Sequence, residues 1–196
     1  MPDHQIILGI DPGTRITGYG LIRKMAHTYE PIDFGCIRPP ADLPLHERYK
    51  IIFDGVEKII GQYQPTAIAV ESQFVMKNVL SALKLGMAKG MILLAAARHK
   101  IPLFEYAPKR AKQAVVGTGG ASKLQVQKMI QTLLRLPKLP QPEDAADALA
   151  LAICCAHELD RGNILCTNPS QANLKKKIPS KRLLKREGLL IDSPSL

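Results

Sequence analysis

The chain is short of acid. Its 196 residues carry 17 Asp and Glu against 27 Lys and Arg, a formal net charge of +10, and that imbalance favours a polyanionic partner, nucleic acid before a membrane surface. A cysteine framework is missing too. The four cysteines stand at 36, 154, 155 and 166 with no C-x-x-C pair, which argues against a disulfide scaffold and fits a reducing, cytoplasmic setting. Nor do Cys154, Cys155, His157 and Cys166 make a convincing zinc set, because adjacent cysteines project from a helix about 100° apart. No uncharged apolar run approaches the roughly 20 residues that cross a bilayer, and Met1 to Gln5 carries no basic region ahead of a signal-like core. The reading is therefore of a protein with no membrane span and no export signal. With 46% hydrophobic residues the chain can bury one substantial core, and one domain is the default.

What is present is organised around Ile6 to Leu21, I-I-L-G-I-D-P-G-T-R-I-T-G-Y-G-L. Ile6–Ile10 is too short for a helix and rich in β-branched residues, so it reads as a buried central strand that stops at an acid, Asp11. Pro12-Gly13 turns the chain, and Ile16–Ile22 resumes apolar/polar alternation as a second, antiparallel strand. An acid at the end of a buried strand is costly unless it is hydrogen-bonded, paired or metal-bound; a turn-forming Asp before Pro-Gly is the plainer alternative. Tyr29–Ile37 reads as a third strand. Apolar residues at 45, 49, 52, 56, 59, 60 and 63 then predict an amphipathic helix over Leu43–Gln64, ended by Pro65. Thr66–Val70 is a fourth strand, and it too ends on an acid, Glu71.

After S-Q-F-V-M-K-N comes a long helical stretch, Val79–His99, with Gly86 and Gly90 on one face. Small residues four apart permit close packing on the core or on a second copy of the helix. Leu103–Tyr106 reads as a fifth strand, and Pro108 opens a short helix to about Val116. Gly117–Ser122 is glycine-rich and lies between Lys109, Arg110 and Lys112 on one side and Lys123 and Lys128 on the other. It suits a phosphate-backbone contact with Ser122 or an adjacent residue as a helix cap, and it lacks the G-K-S/T ending of a Walker loop.

The chemistry concentrates in E-D-A-A-D-A-L-A-L-A-I, Glu143–Ile153. Asp144 and Asp147 share a face of the first helical turn, and the helix dipole alone would favour acids there. Yet Ala148 to Ala156 is almost wholly apolar, so Asp147 is carried inward beside the core. If Asp11 and Glu71 end neighbouring strands and this helix lies across them, four carboxylates converge, with a charge near −4 that no neighbouring base obviously offsets. Hard divalent cations resolve that, Mg²⁺ first, and two such ions about 4 Å apart serve phosphodiester hydrolysis. A basic protein with such a site points to a nuclease.

Taken in order, G-I-D-P-G-T, V-E-S-Q-F, N-x-x-x-A-L-K-L-G, Y-A-P-x-x-x-K-Q-A-V-V-G-x-G and D-A-A-D-A-L-A-L-A resemble the RuvC family of bacterial Holliday-junction resolvases. The resemblance implies an α/β, ribonuclease-H-like fold of the retroviral integrase superfamily, a five-stranded mixed sheet flanked by helices. It implies a homodimer, with the long helix at its interface, that nicks four-way DNA junctions symmetrically in recombination and repair beside the RuvA–RuvB branch-migration complex. Asp11, Glu71, Asp144 and Asp147 would be catalytic metal ligands for Mg²⁺, with two ions per site and Mn²⁺ as a substitute. Phe74 would stack on bases at the crossover, and Lys112 and Lys123 would contact DNA near the scissile phosphate. Residues 1–159 would form the nuclease domain. The remainder, 160–196, is a basic tail that leaves the family pattern; Lys175–Gly188 holds seven bases and one acid. G-I-D-P-G-T also resembles the first phosphate loop of actin-like ATPases and sugar kinases, but that reading needs a second such domain and 196 residues leave no room for it. A catalytically idle junction-binding protein would have no need of the four acids.

Overall fold

Three apolar segments separated by tight turns pair as a meander, and two more join it in parallel through helical crossovers. The computed structural model describes residues 5–26, 28–72 and 78–160. Its elements are β1 (Gln5–Asp11), β2 (Thr17–Lys24), β3 (Tyr29–Ile37), α1 (Leu45–Tyr63), β4 (Ala67–Glu71), α2 (Val79–Arg98), β5 (Leu103–Tyr106), α3 (Pro108–Val116), α4 (Lys123–Leu133) and α5 (Glu143–Asp160). The strand order is β3-β2-β1-β4-β5. β1 runs antiparallel to β2 and β2 to β3, whereas β4 lies parallel to β1 and β5 parallel to β4. This is the five-stranded mixed sheet of the ribonuclease-H-like fold. β3 is an edge strand, which is why it tolerates Pro31 beside the register shift at Leu21/Ile22.

Side chains alternate across the strands and feed two cores. Leu8, Ile10, Leu21, Ile68 and Val70 face α1 and α2, where Val56, Ile60, Ile92 and Ala95 complete an aliphatic cluster. Ile7, Ile22, Ala67 and Ala69 face the other way, toward α3, α4 and α5. α5 is the spine of that second core: from Ala145 to Ala156 every residue except Asp147 is buried, as an all-round apolar helix requires.

The helix ends follow local chemistry. α1 closes on Gln64 in the left-handed conformation just before Pro65. α3 starts on Pro108 and ends on Gly117, whose φ of 81° suits glycine. Ser122 caps α4 in a reciprocal capping box with Gln125.

Two readings are sharpened. α2, with a mean hydropathy of 1.6 over 18 residues, is by length and composition apolar enough to cross a membrane, which counting uncharged runs overlooked because Lys84 and Lys89 interrupt it. It packs Ala88, Ile92, Ala95 and Ala96 inward, and Lys89 is tied to Glu105 of β5 at 2.6 Å. Second, Gly86 and Gly90 are not used against the core: a Cβ at either would meet nothing within 4 Å.

Candidate active site

Asp11 and Glu71 are brought together by strand pairing. Ile10 stands opposite Val70 in the parallel β1/β4 ladder, so Asp11 and Glu71 are the next residues in step on neighbouring strands. Two-residue alternation places Asp11 on the face of Ile7, and Glu71 on the face of Ala67 and Ala69, which is the face α5 covers. Beyond Asp11 the chain is held in a fixed turn. The Thr17 hydroxyl, fully buried, donates to the Gly13 carbonyl at 2.8 Å, and the Arg48 guanidinium of α1 donates to the Thr14 carbonyl.

α5 reaches the acids because the strands beneath it give up side chains. A Cβ at Gly9 would overlap the backbone of Ala148, and one at Gly18 would overlap the carbonyl of Asp144. Gly18 is the partner of Asp11 in the β1/β2 ladder. The contact at Gly18 therefore sets the first turn of α5, with Asp144, against the end of β1. Asp147, one turn later, is the half-buried interruption in an otherwise buried helix. All four expected carboxylates are thus at one end of the sheet, on one side.

Electrostatics register the convergence. Burial, then repulsion from Glu71, Asp147 and Asp144, pushes the Asp11 carboxyl up to about 8, with Lys123 opposing. Burial and then Asp147 raise Glu71, opposed by Lys112, Lys123 and Lys89. Asp147 is raised by burial first, and Lys123 and Lys112 offset it ahead of the repulsion from Asp144. One expectation is corrected here: the site does have neighbouring bases, Lys112 and Lys123, which arrive from α3 and α4 and are remote from the acids in sequence.

Among the described residues, no three His, Cys, Asp or Glu side chains are gathered into a finished shell for one ion. The chemistry of the donor set still fits a hard divalent cation: four carboxylates, no soft ligand among them, and protonation of Asp11 as the alternative to a counter-charge.

Lys112 donates to the Ala121 carbonyl at 3.3 Å, across the glycine-rich segment. Lys123, first residue of α4, pairs with Glu143, first residue of α5, at 2.8 Å. Phe74 and the tail beyond Asp160 lie outside the described residues.

Sequence reasoning passed over several residues that the structure places here. Cys36 stands opposite Gly18, on the rung that continues from Asp11, and burial followed by repulsion from Asp144 pushes its thiol up to about 11. Gly9 and Gly18 were signalled by their spacing in G-I-D and T-G-Y-G, which leaves one strand face bare. Glu143 had no signal beyond being an acid in a first turn. A cleft of about 480 Å³ lined by Arg110, Gln113, Cys154, His157 and Glu158, among others, lies toward the opposite end of α5. Cys154 and Cys155 are buried and free there, and Cys166 falls outside the described residues.

Comparison with known proteins places the chain among relatives of one kind. The family described as "Crossover junction endodeoxyribonuclease RuvC" matches residues 7–155. A crossover junction endodeoxyribonuclease RuvC of Protochlamydia amoebophila is 62% identical over 156 residues, covering 80% of this chain and 93% of the relative. That of Salmonella paratyphi C is 50% identical over 169 residues, 86% of this chain and 95% of the relative. Among solved structures, Thermus thermophilus RuvC in complex with Holliday junction substrate superposes with a TM-score of 0.77 at 34% identity, covering 81% of this chain and 97% of that one.

Proposed function

The chain belongs to the RuvC family of crossover junction endodeoxyribonucleases, and from that premise we propose that it is a Holliday-junction resolvase, a homodimeric, metal-dependent endonuclease acting in recombination and repair. The observation that carries the reading is the meeting of two strand-end acids, Asp11 and Glu71, with the first-turn acids Asp144 and Asp147 of a buried helix. These four would hold the metal, Mg²⁺ with Mn²⁺ as a substitute. Bound there, two such ions would supply an activated water and charge compensation at the leaving oxygen, giving 5′-phosphate and 3′-hydroxyl ends.

The chain's own residues do the rest. β1, β4 and α5 hold the carboxylates on a rigid frame. Lys112 and Lys123 bring positive charge to the same end of the sheet and would bind the phosphate whose charge grows during attack. Phe74, three residues past Glu71 in sequence, would stack on an unpaired base, and the tail 160–196 would add phosphate contacts beyond the nuclease domain.

Dimerisation is supported by α2. Leu80, Leu83, Met87 and Leu94 are 68%, 55%, 45% and 50% exposed and recur at helical spacing, with Gly86 and Gly90 uncovered beside them. A two-fold pair of copies joined there would present two sites to opposing strands of a near-symmetric junction. The RuvA–RuvB complex is the expected partner, and the cytoplasm the expected setting. The actin-like ATPase reading is not favoured, since the nuclease match spans nearly the whole of the relatives.

Incubation with a synthetic mobile four-way junction and Mg²⁺ tests the reading. Symmetric paired nicks that ligase reseals are expected; equal cutting of linear duplex, or none of the junction, would overturn it.

A further inference from the structure

Lys123 stands where helix stability does not want it. It is the first residue of α4, and a cation at a helix N-terminus opposes the macrodipole. Glu143, the first residue of α5, is well placed by the same rule. The two helix starts are joined by one ion pair, Lys123 Nζ to Glu143 Oε2 at 2.8 Å, with side chains 60% and 55% exposed. Glu143 directly precedes Asp144, so the pair lies at the rim of the carboxylate site. Each partner is held on a fixed frame, Lys123 by the Ser122–Gln125 capping box and Glu143 by the buried helix it opens. An ion pair this open to water is weak and readily exchanged.

We propose that Glu143 is a stand-in for the DNA phosphate: it holds Lys123 at the rim of the carboxylate site and gives it up when a junction phosphate arrives. No bond is made or broken; one anion replaces another on the same ammonium. The carboxylate keeps Lys123 from folding across onto Asp147 or Glu71, whose charges also act on it, and it sets a threshold that only a closer or more highly charged anion passes. The inference rests on the nuclease reading and on Lys123 as a DNA contact.

The test is equilibrium binding of the full chain to a fluorescent four-way junction in chelator, where cleavage is silent. Four proteins are compared: the unaltered chain, Glu143→Gln, Lys123→Gln and the double variant, with Asp54→Asn on α1 as a distant charge control. Glu143→Gln should tighten binding about two- to fivefold, the range an exposed ion pair corresponds to, with little change in the salt slope, because the same phosphate is neutralised in both complexes. The tightening should vanish in the Lys123→Gln background. Equal tightening in both backgrounds, or tightening no greater than that of Asp54→Asn, would reduce Glu143 to bulk charge and overturn the exchange. Weaker binding by Glu143→Gln at an unchanged melting temperature would also overturn it. An unaltered chain that fails to prefer the junction over duplex would bring down the nuclease reading itself, and this proposal with it.

Discussion

The two faces of one sheet are built on opposite principles. Toward α1 and α2 the strands present Leu8, Ile10, Leu21, Ile68 and Val70, large side chains that keep the helices at an ordinary distance. Toward α5 the same strands present Gly9, Gly18, Ala67 and Ala69, and the helix comes down until its backbone touches theirs. The first face gains aliphatic burial. The second gives up some of that burial for proximity, and the residues brought close are Asp144 and Asp147 beside Asp11 and Glu71. Stability and chemistry are thus divided between faces by the two-residue period of a strand, within a few ångströms of each other.

The hardest blow to the chemical face is Asp11→Asn, which keeps the shape and removes a charged ligand. Junction cleavage in Mg²⁺ should fall by roughly 100-fold or more, with Glu71→Gln and Asp147→Asn behaving alike. Junction binding, read in chelator, should survive or tighten because each change removes negative charge facing phosphate. Near-normal cleavage by Asp11→Asn would put the site elsewhere.

Gly18→Ala tests closeness rather than charge. The added methyl overlaps the Asp144 carbonyl, so α5 must move, at a cost of about 1–3 kcal/mol that denaturant unfolding would report. Cleavage should drop further than stability does, since the shift displaces Asp144 from Asp11. Ile10→Val, on the aliphatic face, should cost about 0.5–1.5 kcal/mol and leave cleavage per folded molecule unchanged. If the two substitutions lowered cleavage in proportion to stability alike, the division between faces would be wrong.

Much of this was legible in the chain. Apolar runs ending on Asp11 and Glu71 gave the strands and the acids together, and the switch from two-residue to helical spacing gave α1, α2 and α5 to within a few residues. The converging bases were legible only through the family resemblance, because Lys112 and Lys123 reach the acids through α3 and α4 packing on α5, and no local period encodes that. Gly9 and Gly18 could be seen but not interpreted: a glycine in a strand reads as a turn or bulge until the helix above it is known. The apolar character of α2 went unnoticed because two lysines broke the count of uncharged residues, although its overall hydropathy is high.

The pH dependence of stability is the most direct reading of the electrostatics. With the Asp11 carboxyl pushed up to about 8 by burial and by Glu71, Asp147 and Asp144, the folded protein without metal prefers the protonated form, while the unfolded chain ionises near the ordinary value of 3.8. Between those values the folded state binds more protons than the unfolded, so stability falls as pH rises. The contribution is fully present below about pH 4 and is lost as pH passes through about 8. In chelator the melting temperature should therefore decline across that window, by about 2–4 °C for each kcal/mol of linkage in a chain of this size, and Glu71 and Asp147, raised in the same direction, should add to the decline. Mg²⁺ favours the ionised carboxylates, so it should raise the melting temperature more at pH 8 than at pH 5. Asp11→Asn should flatten the decline and shrink the Mg²⁺ effect together. A melting curve for Asp11→Asn that tracked the unaltered chain across the whole pH range would mean that Asp11 does not feel the other three acids, and the convergence at the end of the sheet would lose its electrostatic support.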